Sequence, residues 1–446
     1  MKRITTICII TIISLTSFMS CSKDNGIGNN EEENPTTKTM ATLTVGMDGT
    51  NLLAGNSEYF PSSNVTAEER KLYNIVVCVF DERQLLEDYK IQSYTNGIDV
   101  TQQQLSFVFD ELSTGYHYFY VIANVPKYLF DQESLFNQKG LSIKKFEEQI
   151  LPISDIKHII GKDEQARGFM MTNKTGPAVA ILQPQTDGQN APANSVMVRI
   201  ARAMGKVSFA YLPATNGETF GKLTNVYYKV VNNPNRMYLM PVMTPENVFL
   251  TPHFYDAKYD PSHFSSLGAD DYLSAILKDT PTEDKTATYC MENNNLTPLQ
   301  GNTTCLIIRG KFEPSQLLDA QGQATTTPSA DGTFWRDAKV VNGEVVSYGT
   351  RYFAALPGDG VLANDEIAVA YPEGISYHCI WLKNQDNTYS VKRNNYFKVT
   401  VTDITGAGEP GEGNVIDPEK PIDEISNLEI TFYIENWDDV DIETEL

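Results

Sequence analysis

Short runs of β-branched and aromatic residues, broken by Gly, Pro, Asn or Asp, recur along most of this chain. Two of the densest runs are residues 72–80 and residues 116–125, and Pro126 closes the second. Such residues favour strands, and short strands between turn residues are typical of β-sandwiches. The sequence therefore predicts an all-β fold with few short helices.

The chain has 446 residues, which is enough for two or three domains with their own cores. A helix is predicted over residues 143–150, and residues 270–277 are a shorter helix candidate. The strand pattern restarts after Ala201. We therefore expect two sandwiches in series, an N-terminal one over 41–200 and a C-terminal one over 201–403.

The N-terminus has the pattern of an export signal. Lys2 and Arg3 precede an uncharged apolar run that is too short to span a membrane and ends before Cys21. Residues 1–20 are interpreted as a lipoprotein signal peptide, and the Cys21 thiol as the lipidation site. The alternative is a plain signal peptide with an incidental cysteine. Residues 21–40 are polar and suit a flexible tether.

Charge and motifs exclude several classes of function. With 35 Lys and Arg against 57 Asp and Glu, the net charge is −22, which argues against a nucleic-acid partner. The five histidines are scattered without metal-ligand spacing, and no nucleophile elbow or phosphate loop is present. Paired carboxylates for glycoside hydrolysis depend on the fold rather than on spacing. We predict no enzyme activity, no metal and no cofactor.

Export makes disulfides feasible, and four cysteines follow Cys21. Cys290 and Cys305 flank a polar loop, so a disulfide between them would bridge two neighbouring strands. The alternative is a pair of free, buried thiols. Cys78 and Cys379 lie in apolar strand patterns, where packing is their expected role.

The C-terminus carries an isolated strand pattern. Residues 404–423 are rich in Gly, Pro and acidic residues, which is typical of a linker. Beyond them, apolar and polar residues alternate as a half-buried strand requires. The apolar phase consists of Leu428, Ile430, Phe432 and Ile434, and returns at Val440 and Ile442. This strand either folds back on its own sandwich or completes the sheet of another molecule.

A second alternating strand lies at the other end, over residues 41–47, where Leu43, Val45 and Met47 share one phase with Ala41. A long polar loop follows it. If this loop is cut, the strand is free to leave, and its groove would accept another alternating strand. Exchange between one molecule's terminal strand and the next molecule's groove is head-to-tail, which generates a filament.

The chain resembles the fimbrillins, the type V pilin family of Bacteroidetes, and within it the structural subunits of short (minor) fimbriae. The resemblance covers almost the whole length and rests on several motifs in order. They are Cys21, the stretches 116–126 (YHYFYVIANVP), 196–204 (VMVRIARAM), 235–239 (NRMYL) and 393–396 (RNNY), and a terminal strand ending at Trp437 before an acidic tail.

This resemblance implies two transthyretin-like sandwiches, export as an outer-membrane lipoprotein, and cleavage by an Arg-specific protease after the first strand. The C-terminal strand of one subunit would then fill the groove of the next. The implied partners are other copies of the chain, related fimbrial subunits, the outer membrane through the lipid anchor, and host or bacterial surface ligands. The implied final location is an extracellular adhesive fimbrium.

Carried onto this sequence, the resemblance makes residues 41–47 the displaced strand and residues from 428 onward the donor. No Lys or Arg lies between Lys38 and Arg70, so Arg70, or Lys71, is the first basic residue whose cleavage would free the first strand. The alternative is that Arg70 is a solvated charge. Two other functions stay open, a tip or accessory adhesin and a glycan-binding surface lipoprotein that does not polymerise.

Overall fold

The β-branched and aromatic runs lie in strands, and the prediction of an all-β fold with few short helices is confirmed. The run at 72–80 lies in the strand Lys71–Phe80, and most of the run at 116–125 lies in the strand Gly115–Ala123. The computed structural model describes residues 38–47, 65–99, 105–126, 140–153, 156–163, 166–184, 194–212, 219–265, 272–276, 287–384, 386–422 and 428–436.

The first half of the described chain forms one large sheet and a few short elements. Its strands are β1 (Lys38–Met47), β2 (Lys71–Phe80), β3 (Leu86–Asp99), β4 (Leu105–Ser113), β5 (Gly115–Ala123), β6 (Ile150–Pro152), β7 (Lys162–Asp163), β8 (Ala166–Arg167), β9 (Met171–Asn173), β10 (Ala178–Leu182) and β11 (Asn194–Arg202). The helices are α1 (Ile143–Glu147), α2 (Lys157–Ile160) and a 3-10 turn (Glu68–Arg70). The sheet runs in the order β3, β2, β5, β9, β11, β1, β4, and β10 also pairs with β5.

The second half contains three larger sheets. Its strands are β12 (Met204–Tyr211), β13 (Gly221–Val231), β14 (Asn233–Pro234), β15 (Arg236–Tyr238), β16 (Val242–Met243), β17 (Phe249–Leu250), β18 (Phe264–Ser265), β19 (Leu273–Ser274), β20 (Thr288–Met291), β21 (Cys305–Pro314), β22 (Leu317–Leu318), β23 (Ala324–Thr325), β24 (Phe334–Val341), β25 (Glu344–Phe353), β26 (Glu366–Tyr371), β27 (Ile375–Trp381), β28 (Asn395–Ile404) and β29 (Leu428–Asn436). The 3-10 turns are Pro261–His263, Pro372–Gly374 and Glu412–Asn414.

The sheets of the second half run in the orders β20, β12, β28, β29, then β19, β13, β21, β27, and finally β23, β22, β25, β24, β26. The first two sheets bury one core between them, with Phe209, Val399, Tyr228 and Ile308 among its members. A separate core lies under the large sheet of the first half. The boundary near residue 200 between two sandwich domains stays a prediction.

Polar contacts join the two halves. Strand β6 pairs with β15, and a buried salt bridge links the Arg393 Nη2 and Glu292 Oε2 atoms at 2.7 Å. Arg393 also donates from Nη1 to the Thr172 hydroxyl of β9 at 3.0 Å. The ion pair lies within the second half and orients Arg393, and the bond to Thr172 together with the β6–β15 pairing connects this half to the first.

The two helix predictions differ from the structure. Helix α1 starts after Ser142, whose hydroxyl accepts from the Lys145 amide, but it ends at Glu147 instead of Ile150. Ile150 belongs to β6, which pairs with β15. In the candidate helix 270–277, Leu273–Ser274 forms a strand against Tyr227 and Tyr228. In both cases tertiary strand pairing outweighs a weak local preference for helix.

Residues 404–422, predicted as a linker, lie along the C-terminal sandwich. Ala407 is fully buried, and the Tyr371 hydroxyl donates to the Gly408 carbonyl at 2.6 Å. A Cβ at Gly408 would lie 1.9 Å from the Tyr377 carbonyl oxygen, so only glycine permits this approach. The glycines that suggested flexibility here allow close packing.

Candidate functional site

Strand β1 lies inside the large sheet and not at an edge. It pairs in parallel with β11, from Ala41 opposite Asn194 to Met47 opposite Ile200, and antiparallel with β4. Removing it would separate β4 from β11 and leave two rows of unpaired backbone groups facing each other. We call the space between β4 and β11, which β1 fills, the groove.

The side chains of β1 that face the core are completely enclosed. Leu43 and Met47 have no exposed surface and Val45 has 1%. Burying three such side chains stabilises the fold by roughly 5–9 kcal/mol, as an upper estimate. These are the residues that the alternation of residues 41–47 placed in one phase, and the groove that they occupy is apolar.

A polar contact holds the start of β1. The Asn194 amide donates to the Thr39 hydroxyl at 3.0 Å and to the Met40 carbonyl at 2.9 Å, and the Thr39 hydroxyl donates to the Gln183 carbonyl at 2.7 Å. These bonds connect β1 with the end of β10 and the beginning of β11. They fix the register of β1 at the end of the groove where the strand enters.

A partly buried network holds β4, one wall of the groove. The Ser113 amide donates to Glu87 Oε1 at 2.7 Å, and His117 Nε2 lies 2.6 Å from Glu87 Oε2. Burial alone would lower the pKa of His117, but its contacts with Glu87 and with the Gly115 carbonyl raise it. Burial alone would raise the pKa of Glu87, but hydrogen bonds from His117 and Ser113 lower it. Sequence inspection gave neither residue a role.

The His117–Glu87 pair makes stability depend on pH. The histidine contribution is complete below its ordinary pKa of 6.5 and is lost as the pH rises through the raised value. The glutamate contribution is present above its ordinary pKa of 4.5 and is lost as the pH falls through the lowered value. We expect Glu87→Gln to lower the urea midpoint more at about pH 5.5 than at about pH 8.5. An equal loss at both pH values would contradict this assignment.

The predicted processing residue Arg70 is not a solvated charge. It ends the 3-10 turn before β2, its side chain is 15% exposed, and its Nε donates to Asp99 Oδ2 at 3.2 Å. Lys71 is the first residue of β2 and pairs with Asp99 across the ladder, and its ammonium contacts Glu68. Proteases prefer exposed loop tips, so a cut after Arg70 requires residues 65–70 to detach first.

Glu69 is the residue that holds this turn. It is fully buried, its Oε1 accepts from the Tyr289 hydroxyl at 2.7 Å, and Lys206 Nζ lies 3.2 Å away. The Arg202 guanidinium donates to the Glu69 carbonyl at 2.7 Å. Glu69 Oε2 also accepts from the Thr66 amide at 2.7 Å. The spacing of Thr66 and Glu69 is that of a capping box, a signal present in the sequence that could have identified the turn.

Weakening this anchor will expose the bond after Arg70. Glu69→Gln keeps the shape of the side chain but removes the charge facing Lys206, so residues 65–70 will open more often. We expect cleavage after Arg70 by an Arg-specific protease to accelerate about tenfold, which corresponds to about 1.4 kcal/mol of local opening. The measurement is the rate of appearance of the new N-terminus at Lys71.

The matched control for this prediction is Glu68→Gln, which removes an exposed carboxylate from the same turn. Its cleavage rate will stay near that of the unmodified chain. If both variants and the unmodified chain are cut at one rate, Glu69 does not limit access to Arg70.

The C-terminal strand is paired within its own chain. Strand β29 pairs antiparallel with β28, from Leu428 opposite Ile404 to Asn436 opposite Asn395. Leu428 is buried, and Ile430 packs against the core of the C-terminal sandwich. Phe432 and Ile434 lie in the strand, whereas Val440 and Ile442 lie outside the described residues. Strand β29 is at one end of its sheet order, so β28 is its one neighbour among the described strands.

The predicted lipidation site and the predicted disulfide have different outcomes. Cys21 lies outside the described residues. Cys290 and Cys305 are free, buried thiols, so the predicted disulfide between them is not formed. Burial raises the pKa of both thiols, which makes them poorly reactive. The described residues contain no group of metal-ligating side chains and no helix long and apolar enough to cross a membrane.

One family model matches the C-terminal part of the chain. Residues 369–443 match the family described as "Major fimbrial subunit protein type IV, Fimbrillin, C-terminal". The matched region includes β27, β28 and the whole of β29. A comparison with curated proteins finds no match.

Several solved structures are similar to this chain at low identity. A fimbrilin (fimA) from Porphyromonas gingivalis W83 has a TM-score of 0.49 and 15% identity, covering 91% of this chain and 99% of that one. A putative cell adhesion protein from Parabacteroides distasonis gives 0.46 and 14%, over 91% and 99%. The tip fimbrial protein Mfa3 from P. gingivalis gives 0.41 and 12%, over 89% and 100%.

Proposed function

We propose that this chain is a fimbrillin and that it serves as a shaft subunit of an adhesive fimbria, since its residues 369–443 match the C-terminal fimbrillin family model. The observation that carries the proposal is this match, because it spans the terminal strand that would join one subunit to the next. The subunit is exported as a lipoprotein acylated at Cys21, and the assembled fimbrium is extracellular.

In the proposed assembly, a cut after Arg70 (or Lys71) frees β1, and β29 of another copy fills the groove between β4 and β11. Leu428, Ile430, Phe432 and Ile434 then take the places of the core-facing side chains of β1. Val440 and Ile442 extend the same phase.

The position of each strand in its sheet supports this direction of exchange. In its own sheet, β29 has one hydrogen-bonded neighbour among the described strands, β28, whereas a strand in the groove lies between two, β4 and β11. A donated strand therefore gains a second ladder of backbone bonds and a fully enclosed apolar face. Ordering the donated strand opposes the exchange, whereas filling the groove removes its exposed apolar surface and unpaired backbone groups.

The uncut chain is expected to be a monomer, because β1 fills the groove and β29 covers β28. The proteolytic step makes assembly irreversible once the first strand has left. Processing therefore decides when polymerisation begins, and the lipid anchor confines the precursor to the outer membrane until then.

The test is limited proteolysis of the purified precursor with an Arg-specific protease. The proposal predicts a new N-terminus at Lys71 together with SDS-resistant ladders, and loss of the ladders when residues 428–446 are deleted. A chain that is cut after Arg70 and stays monomeric would overturn the shaft role. The pairing of β29 with β28 of its own chain would then favour an accessory adhesin or a glycan-binding lipoprotein that does not polymerise.

A further inference from the structure

A polar pocket opens on the C-terminal sandwich, away from the groove and from β29. It has a volume of about 470 Å³ and is lined by strands β13, β21 and β27 and by two loops. Volumes of this order are typical of sites for small molecules. The pocket belongs to the sheet β19, β13, β21, β27, whereas β29 belongs to the sheet on the other side of the core.

Two cations line this pocket from one strand. Arg309 and Lys311 are two residues apart on β21, so both side chains lie on the outer face, while Ile308 and Phe312 are buried in the core. Neither cation forms a salt bridge within the described part of the chain. In contrast, Lys222 and Lys229 on the adjacent strand lie 3.2 and 2.6 Å from Glu313 and Glu412.

The two unpaired cations are half-buried, which is unfavourable unless an anion approaches them. The Lys311 ammonium lies close against Gly332, since a Cβ at that position would be 2.7 Å from its nitrogen. A guanidinium and an ammonium on one face suit a carboxylate, which Arg binds with two parallel hydrogen bonds.

An apolar surface lies directly beside the cations. Tyr227 is the ladder partner of Arg309, and Ile375 is the ladder partner of Lys311. Both are half-buried and both line the pocket. A tyrosine ring beside charged and amide side chains is an arrangement that can pack against the CH face of a sugar ring.

The rim of the pocket carries acceptors for hydroxyl groups. The Asp331 carboxylate is held by the Thr333 amide and hydroxyl at 2.9 Å each and by the Ser329 hydroxyl at 3.0 Å, and these bonds lower its pKa. Glu373 has a φ of 56°, a conformation that costs energy in a residue other than glycine and is often found at functional sites. Its amide donates to the Thr333 hydroxyl at 3.0 Å.

We propose that this pocket binds a sugar that carries a carboxylate, with Arg309 and Lys311 holding the acid group and Asp331 and Glu373 accepting its hydroxyls. The two rim carboxylates disfavour a compact dianion such as phosphate, which offers no hydroxyl-rich face. The binding itself needs no polymer, and its use in adhesion rests on the proposed role of the chain as a fimbrial subunit.

The test is calorimetric titration of the full-length precursor with methyl glucuronide and, as the matched neutral sugar, methyl glucoside. We expect methyl glucuronide to bind with a Kd of about 0.1–1 mM and methyl glucoside to bind at least tenfold more weakly. Arg309→Gln will weaken glucuronide binding at least tenfold. Lys339→Gln removes an exposed cation from β24, outside the pocket, and will leave it unchanged.

Equal affinity for the two sugars, or tighter binding of inorganic phosphate, would overturn the ligand class. No binding of either sugar would overturn the site. Thermal unfolding of Arg309→Gln checks that the variant is folded, and Arg309→Lys, which keeps the charge but loses the paired hydrogen bonds, will give an intermediate affinity. Ladder formation after proteolysis will be the same for Arg309→Gln as for the unmodified chain, so failure of this site and failure of strand exchange are distinguishable.

Discussion

A precursor whose first strand is tied to the sheet by a disulfide will be cut by an Arg-specific protease and still remain a monomer. Thr42 of β1 lies directly opposite Val108 of β4 in the ladder, and both side chains are accessible on the outer face of the sheet. Directly opposite positions of antiparallel strands lie within disulfide range, so Thr42→Cys with Val108→Cys will link them. With β1 retained, the groove stays filled, and ladders will be absent from the gel.

Reduction will reverse this block in the same sample. Once the disulfide is broken, β1 leaves and ladders form at the rate of the processed unmodified chain. Thr42→Cys alone is the matched control, and it will assemble with or without oxidant. The native thiols Cys78, Cys290 and Cys305 are buried and will not compete for the new cysteines, and the single variant reports any competition from the half-buried Cys379. Ladders in the oxidised, cleaved double variant would mean that assembly does not need the first strand to leave.

A charge on the core-facing side of the terminal strand will prevent assembly. In the exchanged state Ile430 enters an apolar groove, where an unpaired aspartate would cost several kcal/mol. We expect Ile430→Asp to reduce polymer yield at least about a hundredfold at equal subunit concentration, a change of about 2.7 kcal/mol. The measurement is the fraction of processed subunits in SDS-resistant ladders.

Thr431→Asp is the matched control, because position 431 has the opposite phase in the alternation of this strand. It adds the same charge to the same segment and will assemble almost normally. Equal loss in both variants would indicate a general effect of charge on the strand, and equal assembly of both would exclude β29 as the donor.

The strands were predictable because their information is local. Runs such as 72–80 and the alternation of 41–47 depend on residue type and a period of two, which sequence reveals directly. The resemblance to fimbrillins was predictable for a related reason, since the family match over 369–443 falls on the terminal strand that the alternation already marked.

The anchor around Glu69 was not predictable because its partners are distant in sequence. Lys206 and Tyr289 lie far along the chain on β12 and β20, and only the fold brings them to the turn before β2. The pocket beside Arg309 has the same origin, since three strands and two loops supply it. The prediction of a linker over residues 404–422 was wrong for another reason. Glycine permits both mobility and close packing, and composition does not distinguish the two.

The most direct measurement is a cryo-EM map of filaments assembled from processed subunits, at a resolution that identifies side chains in the groove between β4 and β11. Strand exchange predicts that residues 428–436 of a neighbouring copy lie there, with Ile430 and Phe432 facing the core and residues 41–47 gone. Density for residues 41–47 of the same copy, with β29 still paired to its own β28, would contradict it.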